Sequence, residues 1–273
     1  MQDGIIRLLS DAGISLSADG RAYRPRTNLE GFAIKLLKPQ SIVEMVHLGS
    51  RDLGFAGADW IAELRADVVE LLDTRLDPVR LIAAAPTLLL EHGKLPKRKL
   101  IVASEYQTIT KAWIEKNGLD ATFVRSYGAT EVFPPEDADC IVDNTSSGAT
   151  LVANGLEIVD ELMRSSTRLI AHPRSLENPE KREAIERFVM VVRSVLEART
   201  RVMLELNVTP ECLEAVVAVL PCMREPTVSP LHANLGFAVK AAVSRDLLPK
   251  LIPEIKARGG TDIVVSAFSQ IIP

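Results

Sequence analysis

The chain has 273 residues, enough for two or three compact units, and its 47% hydrophobic and 25% charged content is that of a globular protein. A net charge of −4, with one short basic cluster at residues 94–99, argues against a dedicated nucleic-acid binder. No apolar run approaches the roughly 18 residues of a membrane-spanning helix, and the start of the chain carries no signal-peptide pattern, so no membrane association is expected. The three cysteines, Cys140, Cys212 and Cys222, have no CxxC spacing and read as reduced packing residues of a cytoplasmic protein. The four histidines lie far apart, so a histidine metal site is not expected.

In chain order, residues 5–12 predict a helix, because Ile5, Ile6, Leu8, Leu9 and Ala12 share a face and Gly13 stops it. Residues 15–31 are polar, contain Arg21, Arg24, Pro25 and Arg26, and predict a loop or ragged hairpin. Residues 32–37 predict a strand, and Pro39 opens a helix through Ile42, Val43 and Val46. Residues 53–57 predict a strand running into a helix at Ala58-Asp59-Trp60, and further strands follow at 68–72 and 79–85. This alternation implies an α/β sheet with parallel pairs.

A second α/β lobe follows: a strand at 99–103, a helix at 108–117 with Gly118 as its cap, a strand at 121–125 and a helix start at Thr130. Residues 167–171 (Thr-Arg-Leu-Ile-Ala) nearly repeat residues 79–83 (Val-Arg-Leu-Ile-Ala). They read as the two crossings between lobes, which would place a ligand in the cleft between them; coincidence accounts for so short a match equally well. Residues 179–198 predict a long helix. Strands at 201–208, 225–231, 236–243 and 261–271, with helices at 210–220 and 247–258, complete a β-α-β-β-α-β module of the split ferredoxin-like pattern.

The chemistry concentrates between residues 138 and 157. Cys140-Ile141-Val142 reads as a buried parallel strand, Asp143 stands at its end, and Asn144, Thr145, Ser146, Ser147, Gly148, Ala149 and Thr150 are small and mostly hydroxylic. From Leu151 the spacing predicts a helix through Leu156, Val159, Leu162 and Met163. Strand, small-residue loop and helix start can hold a phosphate, because backbone N–H groups and hydroxyls converge on one anion. Neither a G-x-x-x-x-G-K-[ST] nor a G-x-G-x-x-G loop is present. An acidic residue that accepts from sugar hydroxyls beside a loop that holds a 5′-phosphate describes a phosphoribosyl site. The same residues also describe an ordinary Ser/Gly turn with Asp143 or Thr145 capping the helix.

Residues 143–156 resemble the phosphoribosyl-diphosphate loop of the ATP phosphoribosyltransferase family, and residues 52–59, 199–207 and 226–231 agree with it. The similarity runs through the C-terminal module, so the chain resembles the long form with its own histidine-sensing domain. That family begins with a strand and a Pro-Lys-Gly-Arg turn ahead of its first helix, whereas this sequence opens at the helix. The resemblance implies an α/β, two-lobed, periplasmic-binding-protein-like catalytic region followed by a ferredoxin-like regulatory domain. Lobe I would comprise residues 1–86 and 167–198, lobe II 87–166, and the regulatory domain 199–273.

The implied reaction is attack of ATP N1 on the anomeric carbon of phosphoribosyl diphosphate, with pyrophosphate leaving on Mg²⁺ carried by the substrate phosphates. Asp143 is then the residue closest to the chemistry, at the ribose hydroxyls. Thr145, Ser146, Ser147, Gly148, Ala149 and Thr150 take the 5′-phosphate. Gly57 and Asp59 lie beside the nucleotide, and Arg24, with Arg26, reaches the polyphosphate. Histidine would inhibit through Thr227 and Ser229, and the family suggests a homo-oligomer, a hexamer or a dimer. The reading from another class is a non-catalytic two-lobed binder of small molecules with a sensor module.

Overall fold

The computed structural model describes residues 1–17, 23–223 and 225–272; Arg21 lies outside the described residues. The chain divides into two compact units, residues 1–5, 17–27 and 31–185 in one and 6–16, 28–30 and 186–273 in the other. The first helix, α1 (Gln2–Asp11), buries Leu8 and Leu9, and the strands β1 (Leu16–Ser17) and β2 (Arg26–Thr27) form a two-stranded sheet of their own. Among the described residues no helix is long and apolar enough to cross a membrane.

The first unit holds two larger sheets. α2 (Pro39–His47) starts on its proline, whose missing N–H and fixed φ suit a first helical turn. Val43 and Val46 of α2 are fully buried in one cluster with Ala56 and Ile170. A methyl group on Gly54 would overlap Ile42, so glycine lets α2 lie close on its strand. That strand, β3 (Leu53–Gly57), runs straight into α3 (Ala58–Leu64). With β4 (Val69–Asp73) and β10 (Thr167–Ala171) it makes an antiparallel sheet in the order β3-β10-β4.

The second sheet has five strands in the order β7-β6-β8-β5-β9. These are β5 (Val79–Pro86), β6 (Leu100–Ser104), β7 (Ala121–Arg125), β8 (Cys140–Thr145) and β9 (Leu156–Ser165), with α4 (Gln107–Lys116) between β6 and β7 and α5 (Ala149–Ala153) after β8. β6 runs parallel to β7 and β8, and β5 runs antiparallel to β8 and β9. Alternate residues of one strand feed opposite cores: Leu81, Ala83 and Ala85 join Val102, Tyr106 and Val142, while Ile82 and Ala84 join Ala103, Ile141 and Leu151. A strand covered on both faces is apolar throughout, which is why Cys140-Ile141-Val142 lacks polar alternation. Burial pushes the Cys140 thiol up to about 12, so it remains a protonated packing group.

α6 (Pro173–Glu177) and α7 (Pro179–Thr200) follow β10. The second unit is built on β11 (Arg201–Val208), α8 (Leu213–Val217), β12 (Thr227–Pro230), β13 (Phe237–Ser244), α9 (Leu248–Ala257) and β14 (Thr261–Ala267). Its four strands pair antiparallel in the order β12-β13-β11-β14, the ferredoxin-like arrangement. β11 alternates strictly, sending Val202, Leu204, Leu206 and Val208 into a core completed by Val216, Leu251 and Ile255 of its helices.

Several expectations change. Residues 32–36 alternate in burial, but 32–37 form no strand; Leu36 N–H donates to the Tyr23 carbonyl instead. The helix expected from Leu151 to Met163 stops at Ala153, and Gly155 (φ 67°) turns the chain into β9. The helical spacing has an identifiable origin. β9 pairs β5 with two register shifts, which leave Val159 and Leu162 as extra residues, and each bulge breaks the period of two. The helix expected from Thr130 is a single 3₁₀ turn, Thr130–Val132. β5 belongs to the five-stranded sheet, so the first lobe's sheet ends at β4 rather than at residue 86. The near-repeat residues therefore lie one in each sheet, and the crossings are the β4–β5 and β9–β10 connections.

Candidate functional site

β8 lies in the middle of its sheet, runs parallel to its neighbour β6 and to β7 beyond it, and extends past the end of β6 at Ser104, which pairs with Val142. In open sheets with parallel strands this edge is where ligands bind, because the chain leaves each strand there as a loop. At this edge Thr145 is buried, while Ser146, Ser147, Ala149 and Thr150 are exposed. The Thr145 hydroxyl accepts from Gly148 N–H at 3.0 Å and the Ser147 hydroxyl accepts from Ala149 N–H at 3.3 Å, which folds the loop on itself. Gly148 has φ 79° and ψ 0° with open space around its α-carbon, so glycine is there for its left-handed backbone. The helix beyond has only five residues, so the loop's own hydroxyls and N–H groups, more than a helix dipole, are what it offers an anion.

Asp143 is half-buried just before this loop and takes a hydrogen bond from Asn144 N–H at 2.7 Å. Burial pushes its carboxyl up to about 6; Asn144 N–H opposes the shift, the nearby Glu131 and Glu105 add to it, and the Thr130 hydroxyl opposes it. A carboxylate with few internal partners beside an exposed hydroxyl loop suits acceptance from two neutral sugar hydroxyls.

The other expected site residues, Gly57 and Asp59, sit where β3 enters α3. Asp59 is 5% exposed, and both its oxygens are engaged: Ser165 O–H donates to Oδ1 at 2.6 Å and Tyr106 O–H donates to Oδ2 at 2.6 Å. The Ser165 oxygen in turn accepts from Asp59 N–H at 3.1 Å. A methyl group on Gly57 would overlap this carboxylate, so Gly57 serves the protein's own interior by making room for Asp59. Asp59 is expected from the sequence beside the nucleotide; in the folded chain both its oxygens are taken up by Ser165 and Tyr106. One helical turn along α3, the buried Glu63 accepts from the N–H groups of Thr108 and Ile109 at 3.0 Å each, at the start of α4. Tyr106 stacks on Trp60 with ring centroids 4.6 Å apart, and its oxygen accepts from the Asn144 side-chain amide at 2.9 Å.

Tyr106 and Ser165, and the bond of the Asn144 side chain to Tyr106, escaped the sequence reading. The only available signal was the four-residue spacing of Asp59 and Glu63, which puts two carboxylates on one face of α3. Arg24 and Arg26 are exposed and, among the described residues, make no hydrogen bond or ion pair to the loop. Thr227 and Ser229 lie in the second unit on β12, an exposed edge strand of its sheet. Among the described residues no three His, Cys, Asp or Glu side chains gather as a metal site.

Comparison with known proteins fits this geometry. The sequence pattern described as ATP phosphoribosyltransferase matches residues 38–194, and that described as HisG, C-terminal domain, matches residues 198–270. An ATP phosphoribosyltransferase of Chlorobium phaeovibrioides is 36% identical over 281 aligned residues, covering 100% of this chain and 94% of that protein. One from Pelotomaculum thermopropionicum is 33% identical, covering 100% and 96%. A solved ATP phosphoribosyl transferase (HisG:HisZ) complex from Thermotoga maritima superposes with a TM-score of 0.64 at 22% identity, over 71% of this chain and 93% of that one, which shows the shared fold. The chain belongs to the ATP phosphoribosyltransferase family, in its long form with a C-terminal domain. It is a pentosyltransferase, which sets aside the reading as a non-catalytic binder.

Proposed function

We propose a residue-level account of how this enzyme condenses ATP with phosphoribosyl diphosphate, the first step of histidine biosynthesis. The observation that carries it is the end of β8, where a half-buried Asp143 precedes the exposed hydroxyls of Ser146, Ser147 and Thr150. Asp143 accepts from the ribose hydroxyls. The 145–150 loop holds the 5′-phosphate, with Thr145 and Gly148 shaping it and Ser146, Ser147, Ala149 and Thr150 facing the anion. Adenine N1 then attacks the anomeric carbon, the C–N bond forms as the C–O bond to pyrophosphate breaks, and pyrophosphate departs with the Mg²⁺ it brought. No protein nucleophile is needed: the residues bind and orient, and holding two reactants in line is itself a large part of the rate. Gly57 and Asp59 lie beside the nucleotide, and Arg24 is the candidate for the polyphosphate.

The test is pyrophosphate release from ATP and phosphoribosyl diphosphate by the full chain and by Asp143→Asn. Activity in the first and a raised KM for phosphoribosyl diphosphate in the second are expected; normal kinetics in the variant would remove Asp143 from the site.

In the second unit, free histidine binds around Thr227 and Ser229 and lowers activity in a cytoplasmic homo-oligomer, a hexamer or a dimer. The exposed β12 positions support this reading. Coupling of this kind is reciprocal, so phosphoribosyl diphosphate must weaken histidine binding by the factor with which histidine weakens its own. Titration calorimetry of phosphoribosyl diphosphate with and without histidine, on the full chain and on Thr227→Ala/Ser229→Ala, checks it; affinity that histidine leaves unchanged, or weakens equally in the variant, would overturn it.

A further inference from the structure

We propose that Tyr106 is a positioning residue of the reaction, fixing Asn144 and hence Asp143 through the hydrogen-bond chain Ser165–Asp59–Tyr106–Asn144; this rests on Asp143 holding the ribose. Four observations carry it. The chain is continuous, with separations of 2.6, 2.6 and 2.9 Å, and ends on a residue whose backbone N–H donates to Asp143 at 2.7 Å. It joins distant segments: Asp59 opens α3, Ser165 closes β9, Tyr106 follows β6 and Asn144 lies near the end of β8. Tyr106 is 1% exposed and stacks on Trp60, so its hydroxyl cannot swing away to another partner. Gly57 carries no side chain where one would displace the Asp59 carboxylate.

The chain also has one direction. A carboxylate only accepts, so the single Tyr106 proton points to Asp59 and the phenol oxygen is left as an acceptor. Asn144 must therefore turn its NH₂ toward Tyr106. Burial and the Asp59 charge hold the Tyr106 phenol well above its ordinary pKa, so this polarity does not reverse at any working pH. What reaches Asp143 is the Asn144 backbone N–H at 2.7 Å, so holding the Asn144 side chain on one face of β8 fixes the carboxylate on the other. Tyr106 touches no reactant; it acts on Asp143 through the backbone of Asn144.

The experiment is steady-state kinetics of Tyr106→Phe in the full-length chain, beside Asp143→Asn and Glu63→Gln. Phenylalanine keeps the ring on Trp60 and removes only the hydroxyl. The expected result is about a tenfold rise in KM for phosphoribosyl diphosphate, the scale of one lost hydrogen bond to a charged group, with the KM for ATP within about twofold of the parent. The double variant Tyr106→Phe/Asp59→Asn should be no worse than the poorer single, since both cut one chain. Glu63→Gln is the control: an equally buried carboxylate on the same helix, outside the chain, it should lower the melting temperature without moving either KM. If Tyr106→Phe leaves the KM for phosphoribosyl diphosphate unchanged while Asp143→Asn raises it, the positioning role is wrong and the ribose site stands. If neither variant changes it, both readings fall. Equal rises in both KM values, or a Glu63→Gln variant that behaves like Tyr106→Phe, would reduce Tyr106 to general support and overturn the proposal.

Discussion

Two strand-to-helix junctions of the first unit use similar residue types to opposite ends. Where β3 meets α3, the acidic groups Asp59 and Glu63 are buried and every carboxylate oxygen accepts from a hydroxyl or N–H of the protein. Where β8 meets α5, Asp143 is half-buried with its carboxyl pushed up to about 6, and Ser146, Ser147 and Thr150 beyond it are exposed. Polar groups satisfied inside the protein hold it together, whereas polar groups left open at the end of parallel strands are available to a ligand. The glycines divide in the same way: Gly57 supplies space and Gly148 supplies a backbone angle.

The largest effect expected from breaking this contrast is at Asp143. Asp143→Asn should cost about 10- to 100-fold in kcat/KM for phosphoribosyl diphosphate, the range for losing charged hydrogen bonds. The pH dependence has a definite sign. The folded carboxyl lies near 6, above its ordinary 3.8, so the stability it lends the folded state is full below 3.8 and is lost as pH rises through about 6. The parent should thus lose activity as pH falls below about 6, where Asp143 takes up its proton. The variant should lack that limb and melt higher than the parent at neutral pH. A variant that melts lower would move Asp143 to the closed kind of junction.

Gly57→Ala should act in the reverse sense. The backbone there has φ −69°, which alanine adopts freely, so the only fault is overlap with Asp59. Overpacking of this type costs about 1–3 kcal/mol, and thermal unfolding should show that loss together with a raised KM for phosphoribosyl diphosphate. An unchanged melting temperature would mean that the β3–α3 junction has slack.

How much of this could be read from the sequence depended on how local the determinant was. The ferredoxin-like unit was legible because β11 keeps strict alternation and its core is its own. The small-residue loop after β8 was legible because its residues are contiguous. β9 was not, since two bulges against β5 give Leu156, Val159 and Leu162 a helical spacing. The near-repeat of residues 79–83 and 167–171 proved to mark equivalent environments in different sheets. Leu81, Ile82, Ala83 and Leu169, Ile170, Ala171 are all fully buried, and Arg80 and Arg168 each pair with acids on a neighbouring strand. The Tyr106 chain was invisible because it joins residues up to 106 positions apart, and no periodicity records such a contact.

Gly148→Val should come next in size. No atom stands in the way of the new side chain, but a β-branched residue at φ 79° is strained by about 1–2 kcal/mol or more, and the exposed loop can relieve that strain by flipping out of shape. Titration calorimetry should show phosphoribosyl-diphosphate affinity falling by about tenfold while the melting temperature moves little, because the loop buries little. Intact affinity would mean that the loop's left-handed turn is not what receives the phosphate.

Ser147→Ala should be the smallest change and is the sharpest on the contrast itself. Its hydroxyl is exposed and accepts a long bond, 3.3 Å, from Ala149 N–H, so the folded chain loses almost nothing when it is removed. The freed N–H still faces solvent, and alanine keeps the loop's size. Any effect must then come from the ligand: about a two- to fivefold rise in KM for phosphoribosyl diphosphate, one neutral hydrogen bond's worth, with the melting temperature unchanged. Thr145→Val is its counterpart on the buried side. The Thr145 hydroxyl holds Gly148 N–H at 3.0 Å inside the loop, so its loss should appear in both melting temperature and KM. A Ser147→Ala variant that loses stability as Thr145→Val does would show that this junction, too, is closed, and the phosphate would have to be sought elsewhere along the carboxyl ends of β6, β7 and β8.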